Sequence, residues 1–328
     1  MDRDPTLPTI ADVHRAAARL AGHAVRTPLV SSPFLDEKVG GRVLLKCETL
    51  QRTGSFKFRG AYNALAALDR QSRERGVVAV SSGNHAQGVA EAARLMGVRA
   101  TIVMPADAPV GKRRRTERSG AHVITYDRAS QDREGVAAHY IGEHGGTMIH
   151  PYNDPEVIAG QGTIGLEIAA DCDAAGIVPD AVLVPCGGGG MSSGVGVAIR
   201  DWSAETQMVL VEPQGFDDYA RSLAAGVPLR NPRSAGSVCD ALLAPEPGAI
   251  GFALNRETRA IAAAVSDEEA LAAVAFAFHE LKLVVEPGGV VALAAVLSDR
   301  VTVRGRTVVV VLSGGNIDEP VLMRALSG

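Results

Sequence analysis

Residues 181–194 read Ala181-Val182-Leu183-Val184-Pro185-Cys186-Gly187-Gly188-Gly189-Gly190-Met191-Ser192-Ser193-Gly194. The first four are all apolar, as in a strand covered on both faces. The glycines stop the strand, and the residues after them open a helical pattern. Strand, tight turn and helix in that order form the repeating unit of an α/β fold. Working outward, comparable apolar runs occur at 77–80, 101–104, 208–211 and 307–312. Helical patterns lie between them. Over 267–281, Leu271, Val274, Phe278 and Leu281 share one face, and Ser266 with Glu269 forms a capping box. Val89, Ala93 and Met96 mark another apolar face. The expectation is open, mostly parallel twisted sheets flanked by helices and joined by crossovers.

The chain has 328 residues, which suggests about two domains. No shift of composition marks a boundary, so one domain is expected to be inserted into the other. Hydrophobic residues make up 46% and charged residues 21%, which is ordinary globular composition and argues against disorder. A net charge of −4 and 4% aromatics argue against a nucleic-acid surface. No uncharged apolar run is long enough to span a membrane. The opening Met-Asp-Arg-Asp-Pro has no basic region followed by an apolar core, so no secretory signal is expected. Cys47, Cys172, Cys186 and Cys239 form no C-x-x-C pair and suit reduced thiols in the cytoplasm. The run Lys112–Arg115, in a helix expected over 110–119, reads as a solvated face, with an acidic-ligand site as the sharper option.

Four segments carry chemistry. In Thr53-Gly54-Ser55-Phe56-Lys57-Phe58-Arg59-Gly60, a lysine stands between two phenylalanines before a helix expected over 61–68. Apolar surroundings disfavour the ammonium and leave a nucleophilic amine, which condensation with an aldehyde cofactor requires; a surface lysine in a connecting loop is the plainer option. Ser81-Ser82-Gly83-Asn84-His85 joins a strand to a helix, where free N–H groups suit a carboxylate or phosphate. The tetraglycine stretch lets the main chain approach an anion closely, and a compact phosphate is its best ligand. It lacks the Gly-Lys-Ser/Thr ending of an ATP-binding loop, and a tight structural turn also accounts for it. Ser313-Gly314-Gly315-Asn316 follows the strongest strand, at the strand end where open α/β sheets bind ligands.

In this order the four segments resemble the fold-type II pyridoxal-phosphate enzymes, and within them the serine/threonine dehydratases and serine racemases. The likeness runs from about Arg26 to Asp318, and Gly160-Gln161-Gly162-Thr163 and Val285-Glu286-Pro287-x-Gly289 also fit it. The resemblance implies two domains, each an open, mostly parallel sheet flanked by helices. A large cofactor-binding domain would comprise 1–75 and 153–328, and a small closing domain 76–152. Lys57 would be the Schiff-base lysine and then the general base. Phe56 would pack beside the pyridine ring, Asn84 would bond its phenolic oxygen, and Ser313 would face its nitrogen. Gly187, Gly188, Gly189, Gly190 and Met191 would hold the phosphate. Ser81, Gly83, Asn84 and His85 would take the substrate carboxylate, and Ser82 would stand on the face opposite Lys57.

The implied reaction is α,β-elimination from an L-hydroxyamino acid (threonine, serine or 3-hydroxyaspartate) to a 2-oxo acid and ammonia. A racemase (of serine or aspartate) comes second, because Ser82 could return a proton to the other face. A β-replacement enzyme and a non-catalytic ligand-binding homologue follow. Glu212, the carbonyl of Phe216 and Asp218 fit the cation site of the metal-dependent branch, for Mg²⁺, Mn²⁺ or Ca²⁺. The implied partners are a small amino acid and a second copy of the chain. The chain ends shortly after Ser313, so no regulatory domain of the isoleucine-sensing kind is expected. Ala241 and Ala244 depart from a stretch that carries glycine and serine in relatives, and they put the β-substituent preference in question. Arg133 aligns loosely with an arginine that reaches acidic ligands, and a solvent-facing helix arginine is the other reading.

Overall fold

The computed structural model of the chain describes residues 7–328, apart from 109 and 128; the opening Met-Asp-Arg-Asp-Pro and the side chain of Lys112 lie outside the described residues. Its strands are β1 (Leu29–Ser31), β2 (Arg42–Cys47), β3 (Val77–Val80), β4 (Ala100–Pro105), β5 (His122–Tyr126), β6 (Thr147–Met148), β7 (Ala181–Pro185), β8 (Gln207–Pro213), β9 (Ile261–Val265) and β10 (Thr307–Leu312). They build a six-stranded sheet in the order β1-β2-β10-β7-β8-β9 and a four-stranded sheet in the order β5-β4-β3-β6. Only β1 is antiparallel. The strand expected at 77–80 and the one at 307–312 appear with those bounds. The others are one to three residues longer than expected.

The uninterrupted apolar runs follow from burial on both faces. In β10, Val308, Val310 and Leu312 join a core with the apolar helix Pro287–Leu297. Val309 and Val311 face the other way, onto Ile164, Ile168, Val195 and Ile199 of the helices Pro155–Ala175 and Gly190–Trp202. Alternation along one strand thus feeds two cores. The smaller sheet does the same: Val77, Ala79, Ile102 and Met104 pack with Phe58, Leu65 and Val89, while Val78 and Val103 meet Ala137.

Three expectations need correction. The helix expected from 61 begins at Lys57, so the lysine is its first residue rather than part of a loop. The helix expected over 267–281 ends at His279, and its capping box forms. The charged helix Val110–Arg118 is solvated only in part. Arg113 pairs with Glu117 on the surface, but Arg115 turns inward and its buried Nε and Nη2 have no partner. That face packs toward the helix Asn84–Met96 and borders a cavity of about 380 Å³ shared with Arg52, Arg94 and Arg118.

A buried charge cluster ties the lysine helix to its surroundings. Arg59 is 1% exposed and grips two carboxylates. Its Nε and Nη2 donate to Glu48 at 2.8 Å, and its Nη1 and Nη2 donate to Glu167 at 2.7 and 2.9 Å. Lys46, fully buried on β2, donates to Glu167 at 2.7 Å and to the carbonyl of Thr27 at 2.6 Å. The Thr27 hydroxyl completes Glu48 at 2.6 Å. Two cations meet two carboxylates with the donors filled, the condition under which burying charge is tolerated. The helix Lys57–Ala67 is thereby fixed to β2 and to the helix Pro155–Ala175.

Candidate active site

The four segments singled out above all leave or face the carboxyl ends of strands. The lysine segment is stitched to the last of them. Ser55 bridges to Gly314, the Phe56 N–H donates to the Ser313 carbonyl at 3.1 Å, and the Gly315 N–H donates to Gly54 at 2.9 Å. Thr53 and Gly54 hold positive φ (65° and 74°) to make the reversal. This delivers Lys57 to the start of its helix with Nζ 5.1 Å from the Phe56 ring centroid. Phe58 turns away into the small-sheet core. The Lys57 amine donates to the Pro151 carbonyl at 2.7 Å, and burial lowers its pKa from 10.5 to about 8. Among the described residues no carboxylate balances it there, so the neutral amine is within easy reach.

Pro151 leads into Tyr152, whose ring covers the tetraglycine loop. A Cβ on Gly188 would lie 2.3 Å from the Tyr152 ring, and one on Gly190 would lie 2.8 Å from the Tyr152 Cα. Gly189 has φ +88°, and a Cβ on it would lie 1.7 Å from the Tyr219 hydroxyl. A side chain at any of these three positions would displace its neighbours. The Ser192 and Ser193 hydroxyls bond back to Gly189 at 3.1 and 2.7 Å, which leaves main-chain N–H groups as the loop's donors. The helix Gly190–Trp202 adds its amino end. Main-chain donors at a helix start, held open by glycines, fit a phosphate group. Ser313 is 5% exposed at the end of β10.

The Ser81–His85 turn comes from the other sheet. Its Gly83 N–H donates to the Ser81 hydroxyl at 3.1 Å, and Ser82 is half-buried. Asn84 donates to Glu286 at 2.5 Å and accepts from Asn316 at 2.8 Å, and Asn316 also donates to the Thr53 carbonyl at 2.8 Å. Residues on both sheets are thus linked across the cleft. The ring of His85 points elsewhere. Its Nε2 sits 2.8 Å from the Ile149 carbonyl, so we assign the proton there, and the buried Nδ1 has no partner. Burial, then the Lys57 charge, lowers its pKa to about 3. His150 stays neutral for similar reasons, with a pKa of about 4 set by burial, Lys57 and Arg133. Its Nδ1 accepts from the Tyr152 and Asn153 N–H groups at 3.3 and 2.8 Å, which leaves Nε2 as the donor. Arg133 is exposed at the start of the helix Arg133–His144, and its charge adds a minor part to the lowering of the His150 pKa.

Glu212 and Asp218 are both fully buried. Glu212 accepts from the Tyr219 and Ala220 N–H groups, each at 2.9 Å. Asp218 accepts from Asn231 at 2.6 Å, and its other oxygen is buried without a partner. Burial raises both pKa values, that of Asp218 to about 6 and that of Glu212 well above the carboxylate range, where the neighbouring Asp218 adds to it. With the Phe216 residue buried between them in sequence, this is an oxygen donor set suited to a hard cation. Among the described residues no group of three or more His, Cys, Asp or Glu side chains is arranged to hold a metal, so a cation here would rely on main-chain oxygen and water. The segment with the unusual alanines reaches the glycine loop: a Cβ on Gly187 would lie 3.0 Å from the Leu242 Cα.

The sequence reading missed Pro151, His150, Tyr152, Tyr219 and the bonding roles of Glu286 and Asn316. Asn316 and Glu286 stood inside quoted motifs and were findable. Pro151 acts through its carbonyl, which no side-chain pattern reveals.

Comparison with known proteins adds the chemistry. Residues 20–314 match the family described as pyridoxal-phosphate dependent enzyme. L-threo-3-hydroxyaspartate ammonia-lyase of a Pseudomonas species is 44% identical over 94% of this chain and 95% of its own. L-threonine ammonia-lyase of Thermotoga maritima is 42% identical over 97% of this chain and 78% of its own. The structure of maize serine racemase superposes with a TM-score of 0.91 at 35% identity, covering 98% of this chain and 97% of that one.

Proposed function

The chain belongs to the pyridoxal-phosphate dependent enzyme family, and we propose that it is an ammonia-lyase for L-hydroxyamino acids with 3-hydroxyaspartate as the favoured substrate. The observation that carries this reading is the Lys57 amine, half-buried, with no carboxylate partner among the described residues and held 2.7 Å from the Pro151 carbonyl, one residue from the tyrosine that lies over the glycine loop. The cofactor, when bound, supplies an aldehyde for the substrate amine and an electron sink for the α-carbon. Gly187, Gly188, Gly189, Gly190 and Met191 would hold its phosphate through main-chain N–H groups. Phe56 would pack beside its ring, Asn84 would bond its oxygen, and Ser313 would face its nitrogen.

Lys57 takes the α-proton as general base, for which an amine of pKa about 8 is well matched. The substrate carboxylate sits at the start of the helix Asn84–Met96, with Ser81, Gly83 and Asn84 around it. His85 contributes its main-chain N–H there, because its ring is engaged by Ile149. Loss of the β-hydroxyl, followed by hydrolysis, gives a 2-oxo acid and ammonia. Arg133 and the Nε2–H of His150 supply positive and donor character for a second carboxylate, which is what favours 3-hydroxyaspartate. Ser82, which would stand opposite Lys57, supports racemisation as the second reading, in line with the likeness to serine racemase.

Glu212, the Phe216 carbonyl and Asp218 would hold Mg²⁺, Mn²⁺ or Ca²⁺ in a structural role. Residues 76–152 form the small unit that closes over the substrate onto the remainder, 1–75 and 153–328, and shuts out water. A homodimer working in the cytoplasm completes the reading. All four cysteines are free and buried, which suits a reducing compartment, and among the described residues no helix is long and apolar enough to cross a membrane.

The test is 2-oxo acid release by purified protein supplied with pyridoxal phosphate, offered L-serine, L-threonine and the 3-hydroxyaspartate isomers separately. Lys57→Ala should lower release by at least about 10³-fold. Arg133→Ala should cost roughly tenfold on 3-hydroxyaspartate and little on serine. Equal losses on both would remove the second-carboxylate role. D-enantiomer without oxo acid would replace elimination by racemisation.

A further inference from the structure

Tyr219 has no place in the chemistry above, yet it touches two parts of the site. It is fully buried at the start of the helix Asp218–Ala225, with its ring beside Phe252. Its main-chain N–H is held by Glu212 at 2.9 Å, at the end of β8. Its hydroxyl donates to the Gly188 carbonyl at 3.3 Å, which also receives the Gly248 N–H at 3.1 Å. Space is cleared for that hydroxyl on two sides. A Cβ on Gly189 would lie 1.7 Å from it, and one on Gly251 would lie 2.9 Å from it.

A trans peptide points its C=O and N–H in opposite directions. Two donors that hold the Gly188 carbonyl toward Tyr219 and Gly248 therefore turn the Gly189 N–H the other way. Glycine resists such an orientation least and keeps it least, because it carries the widest choice of φ and ψ. Four glycines in a row would otherwise sample many arrangements, and ordering them would consume binding energy each time an anion arrived.

We propose that Tyr219 is a positioning residue for the anion cradle: its hydroxyl fixes the Gly188–Gly189 peptide so that the loop's N–H groups are set before the phosphate binds. Tyr219 does not touch the reacting atoms. This rests on the reading of the tetraglycine loop as the phosphate site of the cofactor.

The experiment compares pyridoxal phosphate with pyridoxal, which lacks the phosphate, as ligands of cofactor-free protein, with affinity read from the absorbance of the protein-bound cofactor. Tyr219→Phe keeps the ring and removes only the hydroxyl. The variant should bind pyridoxal phosphate roughly two- to tenfold more weakly, the range for one lost hydrogen bond. Its affinity for pyridoxal should not change, and the ³¹P resonance of the bound phosphate should broaden or shift. An unchanged preference for the phosphorylated ligand overturns the proposal and leaves the cradle reading standing. Equal weakening toward both ligands also overturns it, since that marks a general packing defect. A wild-type protein that does not prefer the phosphorylated ligand overturns the cradle reading itself, and the proposal with it. If Tyr219→Phe does not fold, Tyr219→Met removes the hydroxyl with a flexible filler and is judged by the same outcomes.

Discussion

Arg59 and Lys57 are two residues apart on one helix and treat buried charge in opposite ways. Arg59 has a carboxylate on each side of its guanidinium, and the carboxylates are completed in turn by Lys46 and Thr27. Lys57 has one carbonyl and no anion. The first arrangement is closed and asks for nothing further. The second is open, and the acid pair Glu212 and Asp218 is open in the opposite sense, with one buried oxygen left without a partner. Closed clusters hold the scaffold, and open ones mark where something else is meant to bind. An incomplete buried polar group costs free energy that a ligand can return.

The contrast can be broken most directly at Arg59. Arg59→Met should lower stability by about 3–5 kcal/mol, because Glu48 is left with only the Thr27 hydroxyl and Glu167 with only Lys46 among the partners described. Urea unfolding of the cofactor-free chain measures it. A loss below about 1 kcal/mol would show that the cluster is not the clamp described above.

The acid pair gives the next largest effect. Mn²⁺ or Mg²⁺ at about a hundredfold excess over its Kd should add roughly 2–3 kcal/mol, seen as a higher Tm that EDTA reverses. Asp218→Asn should abolish the gain. A Tm indifferent to both cation and chelator would leave the pair merely strained.

Lys57 sharpens the contrast by pH. Its folded pKa of about 8 lies below the ordinary 10.5, so between these values the unfolded chain carries the proton and the folded one does not. Stability from this group therefore rises with pH across that window. Cofactor-free Lys57→Met should be more stable than the parent below about pH 8, and the advantage should fade as pH rises toward 10.5. The expected size is at most about 3 kcal/mol. A constant difference across that range would mean the amine is not desolvated.

The strands that feed two cores were legible, since their residues are apolar without interruption. β2 was not, because Lys46 breaks its run while lying fully buried. β9, Ile-Ala-Ala-Ala-Val, has three alanines between its two branched residues, and β6 has only two residues. At the site, glycine runs and a lysine beside Phe56 announced themselves through local chemistry. Phe58 misled in one respect, since it buries itself in another core and does not cover the amine. His85 looked like a carboxylate ligand by position, but its ring is taken by a carbonyl 64 residues away, and such pairings arise only once the chain has folded. Tyr152 and Tyr219 were silent for the same reason: each acts through a glycine remote in sequence.

Among the described residues β10 is the last strand in sequence, and it lies between β2 and β7 in the middle of the larger sheet. During synthesis, everything needed for the two flanks has left the ribosome before the strand that joins them. A chain stopped short of residue 307 presents β2 and β7 as two open, apolar edges facing an empty slot. Edges of that kind recruit strands from other molecules. The long wait for the closing strand also adds non-local pairing to the folding barrier. A truncation that removes β10 should therefore promote aggregation, because it leaves the β2 and β7 edges unpaired.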